Sequence, residues 1–293
     1  MIIVIIVVFN NPKSKLGVIT SSGLYFSIVL FLYLWGQWPL VGSFYLRYVI
    51  IGILVLIVIF SIIRFLQVIS FFPHNPTRYL FIISAGLLSI ILLTMDVYVL
   101  VGGKFPDGEV HLKFPLKNGK YYISSGGSNK FVNNHYRDYP NSQQYALDIN
   151  KIGKYGSAYK SIFSNQVSNH HIFSDTIYCP CTGTIIESEY TINDNLTSSM
   201  NVKAENGRGN FITIDCDGIL VSLYHLKMNS IFNPVNSLVT AGEPLGLVGN
   251  SGFSQEPHLH IQASKHNPDS VEIGVPIKFG DRYFSRNDVI SND

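Results

Sequence analysis

The stretch GEPLGLVGNSGFSQEPHLHIQAS, residues 242–264, decides the fold. Its two ends, GEPLGLVGNSG and HLHIQAS, alternate apolar and polar residues and break at Gly, Asn or Pro, as strands do. Gly242, Gly246, Gly249 and Gly252 interrupt it where a chain must turn tightly or approach another closely. A phosphate-cradling loop is excluded, because no helix-forming segment follows the run and no Lys-Ser/Thr pair ends it. Similar pieces precede it: YYISSGG from Tyr121, TGTIIES from Thr182, NFITIDCDG from Asn210 and ILVSLYHL from Ile219. No amphipathic helix of more than about three turns is legible here. This half predicts a mainly antiparallel β domain, and roughly 180 residues suffice to bury a core.

The first part of the chain reads differently. Of 293 residues, 47% are hydrophobic and 14% charged, against about 25% charged in ordinary soluble domains. The deficit is confined to residues 1 to about 103. Three runs there, at about 18–34, 48–66 and 79–100, are long and apolar enough to predict transmembrane helices, which take about 20 residues. Trp35, Trp38, Tyr48 and Tyr98 stand at their ends, where amphipathic rings favour the interface. Asp96, close to the end of the third run, is expected among the headgroups. MIIVIIVVF at the start is too short to span and is expected as an interfacial extension of the first helix. The break VGGKFPDGE sets the boundary: residues 1–103 as a membrane anchor, residues 104–293 as the β domain. Lys13, Lys15, Arg64 and Arg78 against Arg47 alone put the N-terminus and the second loop inside. A multi-pass plasma-membrane protein with an extracytoplasmic C-terminal domain is the expectation. A soluble protein with buried core helices would need a large partner to cover three such runs. The net charge of +2 gives no reason to expect nucleic acid.

Chemistry-bearing residues cluster in the β half. In EPHLHIQ, His258 and His260 are two apart in a strand, so they share a face; one can bind a metal while the other stands beside the attacking water. His225 lies in the alternating run SLYHLK. FVNNHYRDYPNSQQYALDIN adds His135 and two carboxylates, Asp138 in a polar loop and Asp148 in the strand-like YALDI. Zinc takes His nitrogen and carboxylate oxygen and keeps a position open when catalytic. Asp148 is favoured for its fixed side-chain direction, with Asp138 the competitor. There is no HExxH, so no glutamate base on a zinc helix is on offer. A neutral histidine must then take the proton.

In order, NNH, YALDI, PCTGTI, GNFITI, YHL, SLVTAGEPLGLVGNSG and EPHLH resemble the lysostaphin-type zinc metalloendopeptidases over about residues 109–270. The resemblance implies a duplicated-hybrid-motif (barrel-sandwich) fold and one zinc ion held by His135, Asp148 and His260. It puts His225 and His258 beside the metal as acid/base residues. It also implies peptidoglycan stems or cross-bridges as substrate, with glycyl-glycine, D-alanyl-glycine and D-alanyl-meso-diaminopimelate bonds all open. Twelve residues separate His135 from Asp148, where the family usually has a short gap. Two other functions compete: a catalytically silent wall-binding or hydrolase-activating module, and a membrane sensor or transporter subunit. The first typically loses ligands, and none of the five positions is lost here. The second finds little support in a single late carboxylate.

Three cysteines cannot all pair internally. Cys181 and Cys216, on strands flanking the site segments, are the candidate pair in an oxidising compartment, with free buried thiols the alternative. Cys179 and Cys181 are too close in an extended strand to meet without distortion. Residues 155–175 read as a polar surface loop, with His170 and His171 solvated.

Overall fold

A computed structural model of the chain describes residues 12–137, 141–161, 166–196, 207–269 and 271–292. The N-terminal MIIVIIVVF and Asp138 lie outside the described residues. Two compact units are present: Met1–Gly36 with Tyr45–Leu100, and Gln37–Phe44 with Val101–Asp293.

The first unit is helical. Helices α1 (Lys15–Trp35), α2 (Leu46–Gln67) and α3 (Thr77–Val101) each contain one of the three expected apolar runs. Ser14 caps α1 by accepting from the Gly17 amide at 3.2 Å. All three are long and apolar enough to cross a membrane, with mean hydropathies of 1.8, 3.1 and 2.3. No residue of α2 is fully buried and most of its large apolar side chains are exposed, and an apolar helix so exposed calls for apolar surroundings.

The second unit is mainly antiparallel β. Its strands are β1 (Val110–Leu112), β2 (Gly119–Ser125), β3 (Leu147–Ile152), β4 (Thr176–Tyr178), β5 (Gly183–Glu189), β6 (Asn210–Cys216) and β7 (Ile219–Leu226). They continue with β8 (Leu238–Val239), β9 (Pro244–Leu247), β10 (Leu259–His266), β11 (Glu272–Gly274), β12 (Ile277–Phe279), β13 (Arg282–Tyr283) and β14 (Val289–Asn292). The large sheet runs β14-β2-β3-β10-β7-β6-β5-β8, with β11 on β10. Every pairing in it is antiparallel; β1 with β12, in a separate small sheet, is parallel. β7 covers the expected ILVSLYHL residues, and β2, β5, β6 and β10 differ from expectation by one or two residues at their ends. β9 is far shorter than GEPLGLVGNSG suggested, because Gly249 and Gly252 serve loop contacts. A Cβ on Gly249 would fall 2.4 Å from the Lys227 backbone. Gly252 has φ +78° and its Cβ position is 2.3 Å from the Gly209 nitrogen.

Side-chain alternation sorts the central strands. Leu147 and Ile149 of β3, Leu259, Ile261 and Ala263 of β10, and Val221 and Leu223 of β7 enter one apolar core. Each large aliphatic buried there contributes about 1.5–3 kcal/mol. The opposite face of the same strands carries Asp148, His260, Gln262 and Tyr224. Cys181 and Cys216 are joined by a disulfide, with Cα atoms 6.1 Å apart, and Cys179 is a buried free thiol.

Candidate metal centre

Register sets the centre of the site. His260 of β10 pairs across the ladder with Asp148 of β3 on one side and Tyr224 of β7 on the other. Opposed side chains in neighbouring strands stand about 4.5–5.5 Å apart at Cβ, so carboxylate and imidazole meet without any long reach. His260 Nδ1 lies 3.0 Å from Asp148 Oδ1, and the His260 ring stacks on Tyr224 with centroids 4.9 Å apart. The other nitrogen, Nε2, is 3.1 Å from Gln262 Oε1.

His135 comes from a loop rather than a strand. Asn133 Oδ1 accepts from the His135 amide at 2.9 Å, while Asn133 Nδ2 reaches the carbonyls of Gly127, Gln144 and Ala146. Asn141 Nδ2 donates to the His135 carbonyl at 2.8 Å. So held, His135 Nε2 sits 2.8 Å from Asp148 Oδ2. Ligand atoms of His135, Asp148 and His260 all lie within 4.8 Å of one another. Two imidazole nitrogens and one carboxylate oxygen at such spacing fit zinc with its fourth position free. The bond from His260 Nε2 to Gln262 is the partner that orients a metal-binding imidazole.

Two more histidines flank this cluster. His258 precedes β10, and its Nδ1 is 2.8 Å from the Glu256 carbonyl, which accepts only if Nδ1 carries the proton. Its Nε2 is thereby the basic nitrogen, 3.6 Å from Asp148 Oδ1. His225 Nδ1 donates likewise to the Ser251 carbonyl at 2.8 Å. The rings of His225 and His258 are 4.8 Å apart.

How His225 gets there was not legible in the sequence. Strict alternation would place it on the core face with Val221 and Leu223. In the structure Asn210 pairs with Leu226 and Phe211 with Tyr224, so His225 is the extra residue of a β-bulge. Its φ is +65°, a strained value for a side chain with Cβ. The bulge switches faces: Leu226 takes the core position and His225 is turned to the site.

Electrostatics follow from burial. Burial alone would raise the Asp148 carboxyl, but the charge that His135 and His258 carry when protonated and a hydrogen bond from His135 outweigh it and hold Asp148 well below the usual carboxylate range. Burial, helped by nearby His258 and His260, pushes His225 well below the ordinary histidine value, so it is neutral near pH 7.

All five expected positions therefore gather in one groove or at its floor: His135, Asp148, His225 and His258 line it, and His260 lies beneath, 1% exposed. Sequence reasoning passed over Gln262, Asn133 and the carbonyls of Ser251 and Glu256. Gln262 had a signal, standing two residues after His260 and so on its face. The segment 155–175 corrects another expectation. His170 is 4% exposed and packs against the Tyr159 ring at 4.6 Å, rather than being solvated.

Residues 173–272 match the profile of Peptidase family M23. The lysostaphin-type family indicated by the motifs is thus met over that segment, which contains His225, His258 and His260; His135 and Asp148 precede it. No protein of curated function matches. Among solved structures, the chain is similar to a zinc-containing peptidase from Vibrio cholerae (17% identity, 57% of this chain and 39% of that one, TM-score 0.34). It is also similar to lysostaphin from Staphylococcus simulans (20% identity, 35% and 41%, TM-score 0.23). A third is pseudoalterin, an M23 metalloprotease from the deep sea (15% identity, 63% and 99%, TM-score 0.34). The chain spans about two fifths of the length of the first two.

Proposed function

We propose that the β domain, whose residues 173–272 are of peptidase family M23, is a zinc metalloendopeptidase cutting peptide bonds in peptidoglycan stems or cross-bridges. The observation carrying this reading is the His135, Asp148, His260 cluster flanked by two histidines whose Nδ1 protons are both committed to backbone carbonyls. A zinc ion held by those three residues would polarise the scissile carbonyl and bring the pKa of a water to about 7. His225 and His258 do the proton work. Each has Nδ1 occupied as a donor, so each presents Nε2 as the site that accepts a proton and returns it to the leaving amine. Once charged, either one stabilises developing negative charge on the carbonyl oxygen.

Three helices of membrane-spanning length support a multi-pass anchor of residues 1–103. With the N-terminus cytoplasmic, an odd number of spans delivers the β domain outside, within reach of the cell wall.

The test uses the full chain in detergent micelles with purified peptidoglycan. Stoichiometric zinc and chelator-sensitive release of new amines are expected. His225→Ala and His258→Ala should each lower turnover about 10²–10⁴-fold while retaining zinc. Near-normal turnover of zinc-loaded His225→Ala refutes its role. A zinc-free protein that binds wall without cutting it is the silent module instead.

A further inference from the structure

The segment between α1 and α2, residues 37–44, belongs to the same compact unit as the β domain. It is fastened there along its length. Gln37 Nε2 donates to the Ser124 carbonyl at 2.7 Å, and Ala158 N donates to the Pro39 carbonyl at 3.0 Å. Ser43 Oγ donates to the Tyr155 carbonyl at 2.5 Å, and Phe44 N to the Gly156 carbonyl at 2.8 Å. Pro39 is buried, and the Phe44 ring meets Tyr122 edge-on at 6.5 Å.

Its position relative to the chemistry is specific. Gln37 and Leu40 line the groove of about 280 Å³ that also holds His135, Asp148, His225 and His258. Ser124, which accepts from Gln37, is the bulge residue of β2 beside the Ser125–Asp148 pair, and its Oγ donates to the Asp148 carbonyl at 3.2 Å. Gln37 is thus tied to the strand next to a candidate metal ligand. With Nε2 spent on Ser124, Gln37 Oε1 accepts no hydrogen bond among the described residues. An amide carbonyl on a side chain that lines a groove and is anchored through its Nε2, with an apolar residue one turn away, suits a peptide backbone: it takes an N–H, and Leu40 covers the adjoining apolar surface.

We infer that Gln37 and Leu40 are substrate-positioning residues, and that the connection between the first two apolar helices forms one wall of the peptide groove. This rests on the peptidase reading above. It also means that the groove is completed by a segment preceding the β domain's main run, at a place no motif marks.

The test again takes the full chain in detergent micelles, with purified peptidoglycan as the probe, and measures half-saturation by co-sedimentation, zinc content and amine release. Gln37→Ala is expected to raise half-saturation about 3–10-fold, the worth of one hydrogen bond, and Leu40→Ala to raise it as well, both with unchanged zinc. Val41→Ala, 73% exposed and outside the groove lining, should leave it unchanged. Wild-type half-saturation in the Gln37→Ala/Leu40→Ala double variant overturns the proposal, as does an equal rise in Val41→Ala. Zinc loss in step with weaker binding overturns it too, making the segment scaffold rather than wall. Wild type that sediments but releases no amines sinks the peptidase reading alone, and the half-saturation comparison still decides the wall. Wild type that does not sediment sinks both.

Discussion

Gln262 Oε1 stands 3.1 Å from His260 Nε2, two residues along the same face of β10. As an amide oxygen it can only accept, so it assigns the proton of the buried His260 ring to Nε2. The lone pair is left on Nδ1, the atom 3.0 Å from Asp148 Oδ1. One side chain, itself 1% exposed, thus sets tautomer and orientation for a candidate metal ligand.

Gln262→Leu should therefore weaken zinc binding about 10–100-fold, the usual effect of removing such a partner. Competition with a fluorescent chelator on the full chain measures it. Gln262→Glu is expected to bind at least as well as Leu, since a carboxylate still accepts from Nε2. Equal zinc affinity in wild type and Gln262→Leu would sink the assignment.

The disulfide between Cys181 and Cys216 closes a sequence separation of 35. A loop of that size restricts the unfolded chain by about 2–4 kcal/mol in chain-entropy terms. Cys216→Ser should lower Tm by several degrees. Denatured, unreduced protein should take one alkyl group, on Cys179, and three after reduction; three without reduction would disprove the pairing.

Strand alternation carried much of this architecture. It identified the strands that bring Asp148 and His260 together, because a period of two fixes which side chains share a face. It could not show the bulge at His225, since an inserted residue leaves the pattern of neighbouring side chains intact while reversing their faces. The strands β1, β4, β11 and β13 are only two or three residues long, too short for any period to appear. Gln37 carried no signal at all: its role depends on a contact with Ser124 across 87 positions of chain. The burial of His170 is illegible for a related reason, as its packing against Tyr159 is a tertiary fact within a polar segment.

His170 gives the acid sensitivity of the domain a specific source. Burial, with smaller contributions from His258 and Lys160, lowers its pKa to about 4, against about 6.5 in an unfolded chain. Above pH 6.5 neither state binds the proton and the full stability is present. As pH falls from 6.5 toward 4, the unfolded chain takes a proton that the folded one refuses, and stability drops. Below about 4 both are charged and the loss levels off. By pH 4.5 the loss from this residue is about 2–3 kcal/mol. Thermal unfolding at pH 7.5 and 4.5 should show a smaller acid-induced fall for His170→Phe than for wild type; identical falls would remove His170 as the source.

Asn133 holds the loop that presents His135. Its two amide hydrogens are shared among the carbonyls of Gly127, Gln144 and Ala146 at 3.0, 3.0 and 3.2 Å, and its Oδ1 takes the His135 amide. Asn133 is 0% exposed, so water cannot replace it. Asn133→Ala strands buried carbonyls at about 1–3 kcal/mol each, for a total of about 2–4 kcal/mol allowing for relaxation. Asn133→Asp should be no better, because it sets a carboxylate oxygen against carbonyl oxygens where a donor is required. Both variants free His135 to wander from Asp148, so zinc affinity should fall together with Tm, and added zinc should restore part of the lost stability by mass action. Unfolding curves with and without zinc test this: a variant with lowered Tm but wild-type zinc affinity would show that Asn133 supports the fold without placing His135.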